Sequence, residues 1–333
     1  MRFFGRKTRK INSSGTHDHF VRAYICIPFR RSELAEEGAV EVLAVIPGNS
    51  IQTTEKEKSM KQFARVQQGN SVIPVLVNGN ELLDLRSLVP DITPETIGGG
   101  KLGEFDTASL KPVVGEVTYL APINGVRQVP ATGFNYKKHI QELKVPTPTE
   151  PEVFLKSMWS VTGPFDTILR GPNQGVKLDW EVELAIVIGR ETLDIKAEDA
   201  ADYIFGYVCL NDISDRTTQV DAEHQHHLVR AKSRPTYTPI GPYLTTGIDP
   251  MNVDLWTKVN GHYEQQGNTS DMIFPVYEML AYFSQHMKML PGDVLATGTP
   301  PGVGMGKNKF LSPGDVLECG ITHLGAQRHK IAP

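Results

Sequence analysis

This sequence has few cysteines, no long apolar run and a small net charge, and each of these features excludes a class of protein. The 333 residues include three cysteines, Cys26, Cys209 and Cys319, whose scattered positions fit neither a disulfide framework nor a metal-ligand spacing. A reducing compartment is therefore favoured. No apolar run approaches the roughly 20 residues that a membrane-spanning helix needs. With a formal net charge of −4, the chain does not have the excess of basic residues that is typical of nucleic-acid-binding proteins. We therefore expect neither membrane nor nucleic-acid partners.

Phosphate-binding glycine loops are also missing. The glycine-rich segments at 98–100 and 302–306 have neither the spacing of a P-loop nor that of a dinucleotide-binding fingerprint. Apolar residues make up 40% of the chain and charged residues 22%, which is ordinary for a globular protein. The length allows one large domain or two moderate ones.

Residues 1–59 differ in composition from the rest of the chain. The first ten residues are strongly basic, and no acidic residue precedes Asp18. An Arg-rich, acid-poor start with Ser and Thr is typical of a mitochondrial presequence, whereas the apolar segment of a secretory signal is not found. A disordered basic tail or a misassigned start codon explains this composition equally well. We predict a cytoplasmic or mitochondrial protein with an N-terminal extension over 1–59 that is a targeting or disordered segment.

Residues 60–120 are predicted to form a small, mostly β N-terminal module. Apolar stretches at 63–66, 72–77 and 81–85 are separated by turn residues such as Asn78-Gly79, which is the pattern of a β-meander.

Residues 121–333 are dense in short apolar stretches and in turns rich in Gly and Pro. This pattern predicts an α+β, β-dominated domain whose mixed β-sheet forms a roll or distorted barrel. Few helices are expected, at 136–143, 197–203 and 275–286.

Two carboxylates stand one residue apart at the start of an apolar strand. Side chains alternate across a strand, so Glu181 and Glu183 point to the same face. The stretch that follows, 184–188, is continuously apolar, as in strands covered on both faces. Burying two like charges side by side is unfavourable without a compensating cation. The alternative is a solvated strand edge, where such a pair has no function.

A third carboxylate, Asp212, follows another apolar run at 205–211. Two Glu and one Asp form an all-oxygen donor set, which suits Mg²⁺ or Mn²⁺, with Ca²⁺ as a further alternative. Zinc is disfavoured because it prefers His and Cys ligands. The sequence therefore predicts a divalent-metal site at Glu181, Glu183 and Asp212.

His139 and Glu142 are three residues apart in a predicted helix and so share one helical face. A carboxylate that accepts from one imidazole nitrogen raises the basicity of the other, which is how a general base for water is built. A solvated surface pair is the alternative. Prolines at 146, 148 and 151 follow this helix, and such a flank would suit a movable lid.

These segments, in this order, resemble the fumarylacetoacetate hydrolase superfamily, which includes acylpyruvases, oxaloacetate decarboxylases and isomerases. The resemblance runs from about Met60 to the C-terminus and is strongest over 131–325. The matching motifs are G-F-N-Y-x-x-H-x-x-E (133–142), F-L-K (154–156), D-W-E-V-E-L-A-I-V-I-G (179–189), G-Y-x-x-x-N-D-I-S-x-R-x-x-Q (206–219), A-K-S (231–233), P-I-G-P (239–242), V-N-G (259–261), Q-x-G-x-T-x-D-M-I-F (265–274), P-G-D-V-L-A-T-G-T-P-x-G-V-G (291–304) and P-G-D-V (313–316).

The resemblance implies a role for each matching residue. Glu181, Glu183 and Asp212 correspond to the metal ligands of the family. The catalytic positions would be His139, Glu142 and Lys232, of which the first two form the dyad on a mobile lid. The substrate-lining positions would be Arg216, Gln219 and Thr299. A homodimer built through the β-roll is implied as well.

The resemblance also implies the chemistry. The expected activity is metal-dependent hydrolysis of a C–C bond in an acylpyruvate-like 2-oxo acid or β-diketone, through an enolate stabilised by the metal. Oxaloacetate decarboxylation, tautomerisation, isomerisation and hydration share that enolate and stay open, as does a non-catalytic metal-binding relative. The intact dyad favours hydrolysis. Arg234 and Pro235 stand where the family usually has an aromatic and an acidic residue, which leaves the choice of substrate open.

Overall fold

The structure is a computed structural model that describes residues 60–171, 175–220 and 227–333. The predicted extension over 1–59 lies outside the described residues, and its role stays a prediction. Within the described ranges, none of the helices is long and apolar enough to cross a membrane.

The described residues are rich in β-structure. The strands are β1 Lys61–Gln68, β2 Ser71–Asn78, β3 Glu81–Asp84, β4 Lys111–Pro112, β5 Thr118–Leu120, β6 Val129–Ala131, β7 Phe154–Lys156, β8 Val161–Thr162, β9 Leu178–Asp179, β10 Val182–Ile188, β11 Ile204–Asn211, β12 Ser214–Asp215, β13 Thr238–Thr246, β14 Asp254–Val259, β15 His262–Asn268, β16 Val294–Ala296, β17 Val316–Ile321 and β18 Gly325–Lys330.

The α-helices are short. They are α1 Pro94–Gly98, α2 Lys137–Leu143, α3 Arg216–Gln219, α4 Leu228–Lys232, α5 Val276–His286 and α6 Gly304–Lys307. Two of the helices expected from the sequence, α2 and α5, begin one residue later than predicted, because Tyr136 and Pro275 are N-cap residues. The third, Ala197–Tyr203, is a 3₁₀ helix.

The main sheet has twelve strands and mixed pairing. Its continuous path runs β4-β3-β2-β1-β13-β11-β10-β16-β6-β7, with β5 beside β1 and β8 beside β13. The pairs β6–β16 and β8–β13 are parallel, and the other pairs in this sheet are antiparallel. A second sheet has the order β15-β14-β17-β18, and β9 pairs with β12. The α+β, β-dominated class with a mixed sheet is thus confirmed.

The strands of the predicted N-terminal module belong to this main sheet. Strands β1 and β2 pair antiparallel as the sequence suggested, and β2 turns into β3 at Asn78 and Gly79. Strand β1 also pairs with β13, with Phe63 opposite Leu244. The module therefore extends the sheet of residues 121–333, and the boundary near residue 120 stays a prediction.

Strand β10 lies at the centre of the core and carries the predicted metal ligands at its start. All its residues are buried. Ala185 and Val187 pack in a cluster with residues of β11, β13 and β16, whereas Leu184 and Ile186 pack on the other face against α5. The sequence-based prediction that this strand is covered on both faces is correct. Because Glu183 alternates with Leu184, it shares the face of Ala185.

Candidate active site

The three predicted metal ligands lie together where β10 begins and β11 ends. The backbone N–H of Asp212 donates to the carbonyl of Glu181 at 2.8 Å, which joins the two strands at this point. One oxygen from each of Glu181, Glu183 and Asp212 lies within 4.8 Å of the others. All three side chains are buried, so there is little water to screen the repulsion between the carboxylates.

Buried cations surround this carboxylate cluster. Lys232, at the end of α4, donates from Nζ to Glu181 and to Asp212, the latter at 2.7 Å. Burial opposes the charge of Lys232, but Asp212 and Glu181 outweigh burial and raise its pKa. Arg216, at the start of α3, donates to Glu181 as well. Despite the cost of burial, Arg216 and Lys232 together lower the pKa of Glu181.

A second buried lysine, Lys156, completes the cation set. It ends strand β7 and donates from Nζ to Asp212, to the carbonyl of Lys232 at 2.6 Å and to the carbonyl of Tyr237 at 3.1 Å. Burial lowers its pKa, and the Asp212 carboxylate offsets part of that effect. From the sequence, Lys156 was expected to be one of several cations that could bind an anionic substrate, with a solvated charge as the alternative. Its position at the end of an otherwise apolar stretch is the feature that distinguishes it.

Asp179 is a fourth buried carboxylate at the site, and no role was predicted for it from the sequence. It accepts from Arg216 Nε at 2.8 Å and from the backbone N–H groups of Gly304 and Met305 at 2.6 and 2.9 Å. It is completely buried. The sequence could have indicated that Asp179 belongs to the site, because this residue stands two positions before Glu181 in the same alternating pattern.

Glu183 differs from the other two carboxylates of the cluster. Among the described residues its hydrogen-bond donor is the backbone N–H of Gly298, at 2.8 Å. Burial, followed by the nearby charges of Asp212 and Glu181, raises the pKa of Glu183 well above its usual value. A buried carboxylate among like charges, in an all-oxygen donor set, fits a hard divalent cation. The residues present therefore fit the metal that the sequence predicted.

The His139–Glu142 pair lies on helix α2, as the spacing predicted, but it is not a surface pair. His139 is only 4% exposed, and its Nδ1 lies 3.2 Å from Oε2 of Glu142. The ring of Phe134 stacks on the imidazole, with centroids 6.4 Å apart and an interplanar angle of 19°. The solvated alternative is therefore wrong for His139.

The backbone of Gly302 holds the carboxylate of Glu142. The backbone N–H of Gly302 donates to both carboxylate oxygens of Glu142, at 3.1 and 3.0 Å. Although burial opposes ionisation, the bonds from His139 and from this N–H lower the pKa of Glu142. Gly302 has a φ of +106°, and a Cβ there would lie 2.0 Å from the carbonyl oxygen of Glu264. Only glycine suits this position.

One cavity of about 120 Å³ connects these groups. Asp212 and Glu142 are not in the cavity lining, but they contact two residues that are, Lys232 and His139 respectively. The other predicted site residues line the cavity, namely His139, Glu181, Glu183, Arg216, Gln219, Lys232 and Thr299. The structure thus brings all nine predicted site residues into one region.

The two residues that depart from the family pattern lie elsewhere. Arg234 and Pro235 line a larger groove of about 830 Å³, which shares Phe154 and Leu228 with the small cavity. The cavity wall also contains residues that sequence reasoning did not single out. These are Thr132, Gly133, Phe134, Leu143, Glu152, Phe154, Val220, Leu228 and Met305.

Comparison with known proteins supports the resemblance found in the motifs. Residues 128–332 match the family model described as fumarylacetoacetate (FAA) hydrolase, C-terminal. The curated 2,4-didehydro-3-deoxy-L-rhamnonate hydrolase of Sphingomonas sp. (strain SKA58) is 38% identical over 278 residues, which cover 81% of this chain and 96% of that protein.

Two solved structures show the same fold. The fumarylacetoacetate hydrolase from psychrophilic Exiguobacterium antarcticum superposes with a TM-score of 0.74 and 33% identity, covering 82% of this chain and 99% of that one. The 2-hydroxyhepta-2,4-diene-1,7-dioate isomerase from Mycobacterium marinum superposes with a TM-score of 0.66 and 29% identity, covering 82% and 98%. The chain belongs to the fumarylacetoacetate hydrolase family, and it is an enzyme of that family of hydrolases and isomerases.

Proposed function

We propose that this enzyme is a divalent-metal-dependent hydrolase that cleaves the C–C bond between C3 and C4 of a 2,4-dioxo acid. Water adds its oxygen to the C4 acyl group, which leaves as a carboxylic acid, and C3 gains a proton to give pyruvate. The observation that carries this proposal is that His139 lines the same cavity as Glu181 and Glu183. A buried histidine paired with a glutamate, beside a carboxylate cluster, is the arrangement that metal-assisted hydrolysis needs.

The metal would be held by Glu181, Glu183 and Asp212, and we propose Mg²⁺ or Mn²⁺ in preference to Ca²⁺. A bound divalent cation would supply Lewis-acid stabilisation for the negative charge that develops on the 2-oxo acid. The local charges support this assignment. Four buried carboxylates, the three ligands and Asp179, face the three cations Lys156, Arg216 and Lys232. A divalent cation together with a substrate carboxylate would bring this set to neutrality.

His139 is proposed as the general base. With Glu142 ionised, its carboxylate accepts from Nδ1, so the neutral imidazole keeps its proton on Nδ1 and presents the lone pair of Nε2. Nε2 can then take a proton from water, and Glu142 stabilises the imidazolium that results. Gly302 limits the movement of Glu142 by holding both of its oxygens.

Arg216 and Lys232 are proposed to receive the substrate carboxylate. Among the described residues, Arg216 donates three of its five N–H groups, to Asp179, Glu181 and Gln219, so that two guanidinium N–H groups remain for a ligand. Lys232 lines the cavity beside Arg216. Both groups would favour an anionic substrate in a site with little water.

Gln219 and Thr299 are proposed to shape the substrate site. Gln219 accepts from Arg216 Nη1 at 2.7 Å. The Thr299 hydroxyl donates to the carbonyl of Val182 at 2.9 Å and accepts from Gln265 Nε2 at 2.8 Å. Both side chains are therefore held in place before any substrate arrives.

The named relatives favour a 2-oxo acid substrate and a hydrolytic reaction. The name of the Sphingomonas relative describes a hydrolase of a 2,4-didehydro-3-deoxy acid, which in chemical terms is a 2,4-dioxo acid. The Mycobacterium marinum neighbour is named as an isomerase, so isomerisation of a related acid is the second candidate.

The test measures both consumption and products. The metal-stripped enzyme is assayed with and without Mg²⁺ or Mn²⁺ on 2,4-dioxopentanoate, oxaloacetate and an unsaturated 2-hydroxy dioate. We expect metal-dependent loss of the enol absorbance of 2,4-dioxopentanoate, with pyruvate and acetate formed in equal amounts. If the enzyme only forms CO₂ from oxaloacetate, it is a decarboxylase and the hydrolase proposal is wrong. If it only isomerises a substrate without cleavage, it is an isomerase and the hydrolase proposal is equally wrong.

A homodimer is proposed for the assembly. Five apolar side chains between 153 and 165 are between 38% and 78% exposed, which is unusual for so short a segment of a monomer. They are Val153, Leu155, Met158, Trp159 and Phe165. Sedimentation equilibrium at micromolar concentration should give twice the chain mass, and a charged substitution at Trp159 should shift the protein towards monomer.

A further inference from the structure

Trp180 stands between Asp179 and the proposed metal ligand Glu181, and the mechanism above gives it no role. Its side chain is completely buried and packs in an apolar cluster of the core. The indole Nε1 donates to the backbone carbonyl of Gly302 at 3.2 Å. An indole carries a single N–H donor, which usually finds a partner when the ring is buried. The core of the domain is therefore connected to the loop of Gly302 by one directed hydrogen bond.

Gly302 forms hydrogen bonds with both of its backbone polar groups. Its N–H donates to the carboxylate of Glu142, and its carbonyl accepts from Trp180. Glycine has no Cβ, so the peptide groups on its two sides rotate more freely than those of other residues. The direction of the N–H towards Glu142 therefore depends on what holds the neighbouring peptide groups. Trp180 holds the peptide group that follows Gly302 and so limits this rotation.

The loop that contains Gly302 also contacts the proposed metal site. The backbone N–H of Gly298 donates to the proposed metal ligand Glu183 at 2.8 Å. Four residues later, the N–H of Gly302 donates to Glu142 of the proposed dyad. One short loop therefore contacts a metal ligand at one end and the partner of the general base near the other. A shift of this loop would change the position of the base relative to the metal site.

We propose that Trp180 is a positioning residue for the hydrolysis. Its indole N–H fixes the backbone of Gly302, which in turn holds Glu142. Glu142 then orients the imidazole of His139. Trp180 is not among the described residues that line the cavity, so it acts on the reaction through these contacts. This inference rests on the proposed hydrolysis and on His139 as its base.

The first test is Trp180→Phe, which removes the N–H and keeps an aromatic ring in the core. We expect kcat for hydrolysis of 2,4-dioxopentanoate with Mg²⁺ to fall by about tenfold, as the loss of one hydrogen bond would cause. The KM and the affinity for Mn²⁺ should stay close to the wild-type values, because the carboxylate cluster and the cations around it keep their contacts. Steady-state kinetics and calorimetric titration with Mn²⁺ measure these quantities.

A comparison with Glu142→Ala separates positioning from a general structural effect. Two residues that act through the same contact have non-additive effects, whereas independent effects add. If Trp180 acts through Glu142, Trp180→Phe should cause no further loss of kcat once Glu142→Ala is present. A loss of the same factor in both backgrounds would mean that Trp180 affects the reaction by another route.

A second replacement and a control remove the dependence on core volume. Benzothienylalanine incorporated at position 180 replaces the indole N–H by sulfur and leaves the rest of the ring system in place, so it should repeat the selective loss of kcat in a folded protein. Leu317→Ala removes volume from the apolar cluster that contains Trp180, without removing a hydrogen-bond donor. It should lower the thermal midpoint and leave kcat at the wild-type value.

The outcomes separate this inference from the proposed function. If wild-type enzyme with Mg²⁺ does not hydrolyse 2,4-dioxopentanoate, the proposed function fails and this inference falls with it. If wild-type enzyme is active and both replacements at position 180 keep its kcat, hydrolysis stands and the positioning role is wrong. A parallel loss of Mn²⁺ affinity and kcat would also overturn the inference, because Trp180 would then support the metal site instead of the dyad.

Discussion

Arg216 Nε donates a hydrogen bond to Oδ2 of Asp179 at 2.8 Å, and both side chains are buried. The same carboxylate accepts from the backbone of Gly304 and Met305, at the start of helix α6. A carboxylate outside the proposed metal ligands therefore fixes the guanidinium that contacts Glu181. Without Asp179, Arg216 would keep Glu181 as its carboxylate partner among the described residues, and the loss of one partner from a set of buried charges is strongly unfavourable.

We predict that Asp179→Asn lowers the free energy of unfolding by about 3–5 kcal/mol, which is the usual result of removing one partner of a buried ion pair. Urea denaturation at pH 7 measures this change. Asp202→Asn, at an exposed position of the 3₁₀ helix, is the matched control and should stay within about 0.5 kcal/mol of wild type. A loss below about 1 kcal/mol in Asp179→Asn would show that Arg216 does not depend on this contact.

His139→Ala should reduce hydrolysis of 2,4-dioxopentanoate by about 10²–10⁴, the usual effect of losing a general base. The affinity for Mn²⁺ should stay unchanged, because His139 is not among the proposed ligands. Steady-state kinetics and calorimetric titration with Mn²⁺ measure the two effects. The exposed His262→Ala is the control. Wild-type hydrolysis by His139→Ala would remove the dyad from the mechanism.

Gly302→Ala should be among the most harmful single substitutions in the loop 301–304. Its φ of +106° is unfavourable for alanine, and the added Cβ would lie 2.0 Å from the carbonyl oxygen of Glu264. We expect a loss of more than about 2 kcal/mol in unfolding free energy, together with lower activity because Glu142 loses its anchor. Gly79→Ala, with a φ of +59° and no atom within 4 Å of the added Cβ, should lose less. Equal losses in the two variants would refute the close-contact argument.

His329 should make the protein less stable in mild acid. Burial lowers the pKa of His329 to about 4, although the carbonyl of Asp166 partly opposes this shift. An unfolded histidine has a pKa near 6.5, so the unfolded chain binds more protons between about pH 4 and pH 6.5. The contribution of neutral His329 is therefore complete above about pH 6.5 and is lost as the pH falls towards 4, by up to about 3 kcal/mol.

His329→Gln should flatten the fall of unfolding free energy between pH 6.5 and pH 4 relative to wild type. Denaturation curves at several pH values measure the two slopes, and His262→Gln, at an exposed strand end, should keep the wild-type slope. A wild-type slope in His329→Gln would mean that other groups cause the acid sensitivity.

Much of the fold could be predicted because its patterns are local. The alternation and apolar content of 182–188 predicted a strand covered on both faces, and α2 and α5 began within one residue of the predicted positions. The pairing of β1 with β13 could not be predicted. It joins residues about 180 positions apart, and such long-range pairing leaves no mark in the periodicity of either strand.

The proposed metal ligands could be predicted because charged residues in an apolar strand are conspicuous. Lys156 and Asp179 also stood in matching motifs, but their partners lie far away in sequence, directly after β11 and on α3. Spacing alone could not assign those contacts.

We propose above all that Glu181, Glu183 and Asp212 hold a divalent metal that hydrolysis requires. The most direct measurement is Mn²⁺ titration of metal-stripped wild type and of Glu183→Gln, a variant of nearly the same shape, with 2,4-dioxopentanoate hydrolysis assayed on the same samples. We predict a single Mn²⁺ site per wild-type chain and a loss of affinity in Glu183→Gln that exceeds the roughly 10–100-fold loss caused by changing an outer-shell partner. Hydrolysis should fall in parallel. Wild-type Mn²⁺ affinity in Glu183→Gln, or its undiminished hydrolysis in the presence of a chelator, would contradict the account.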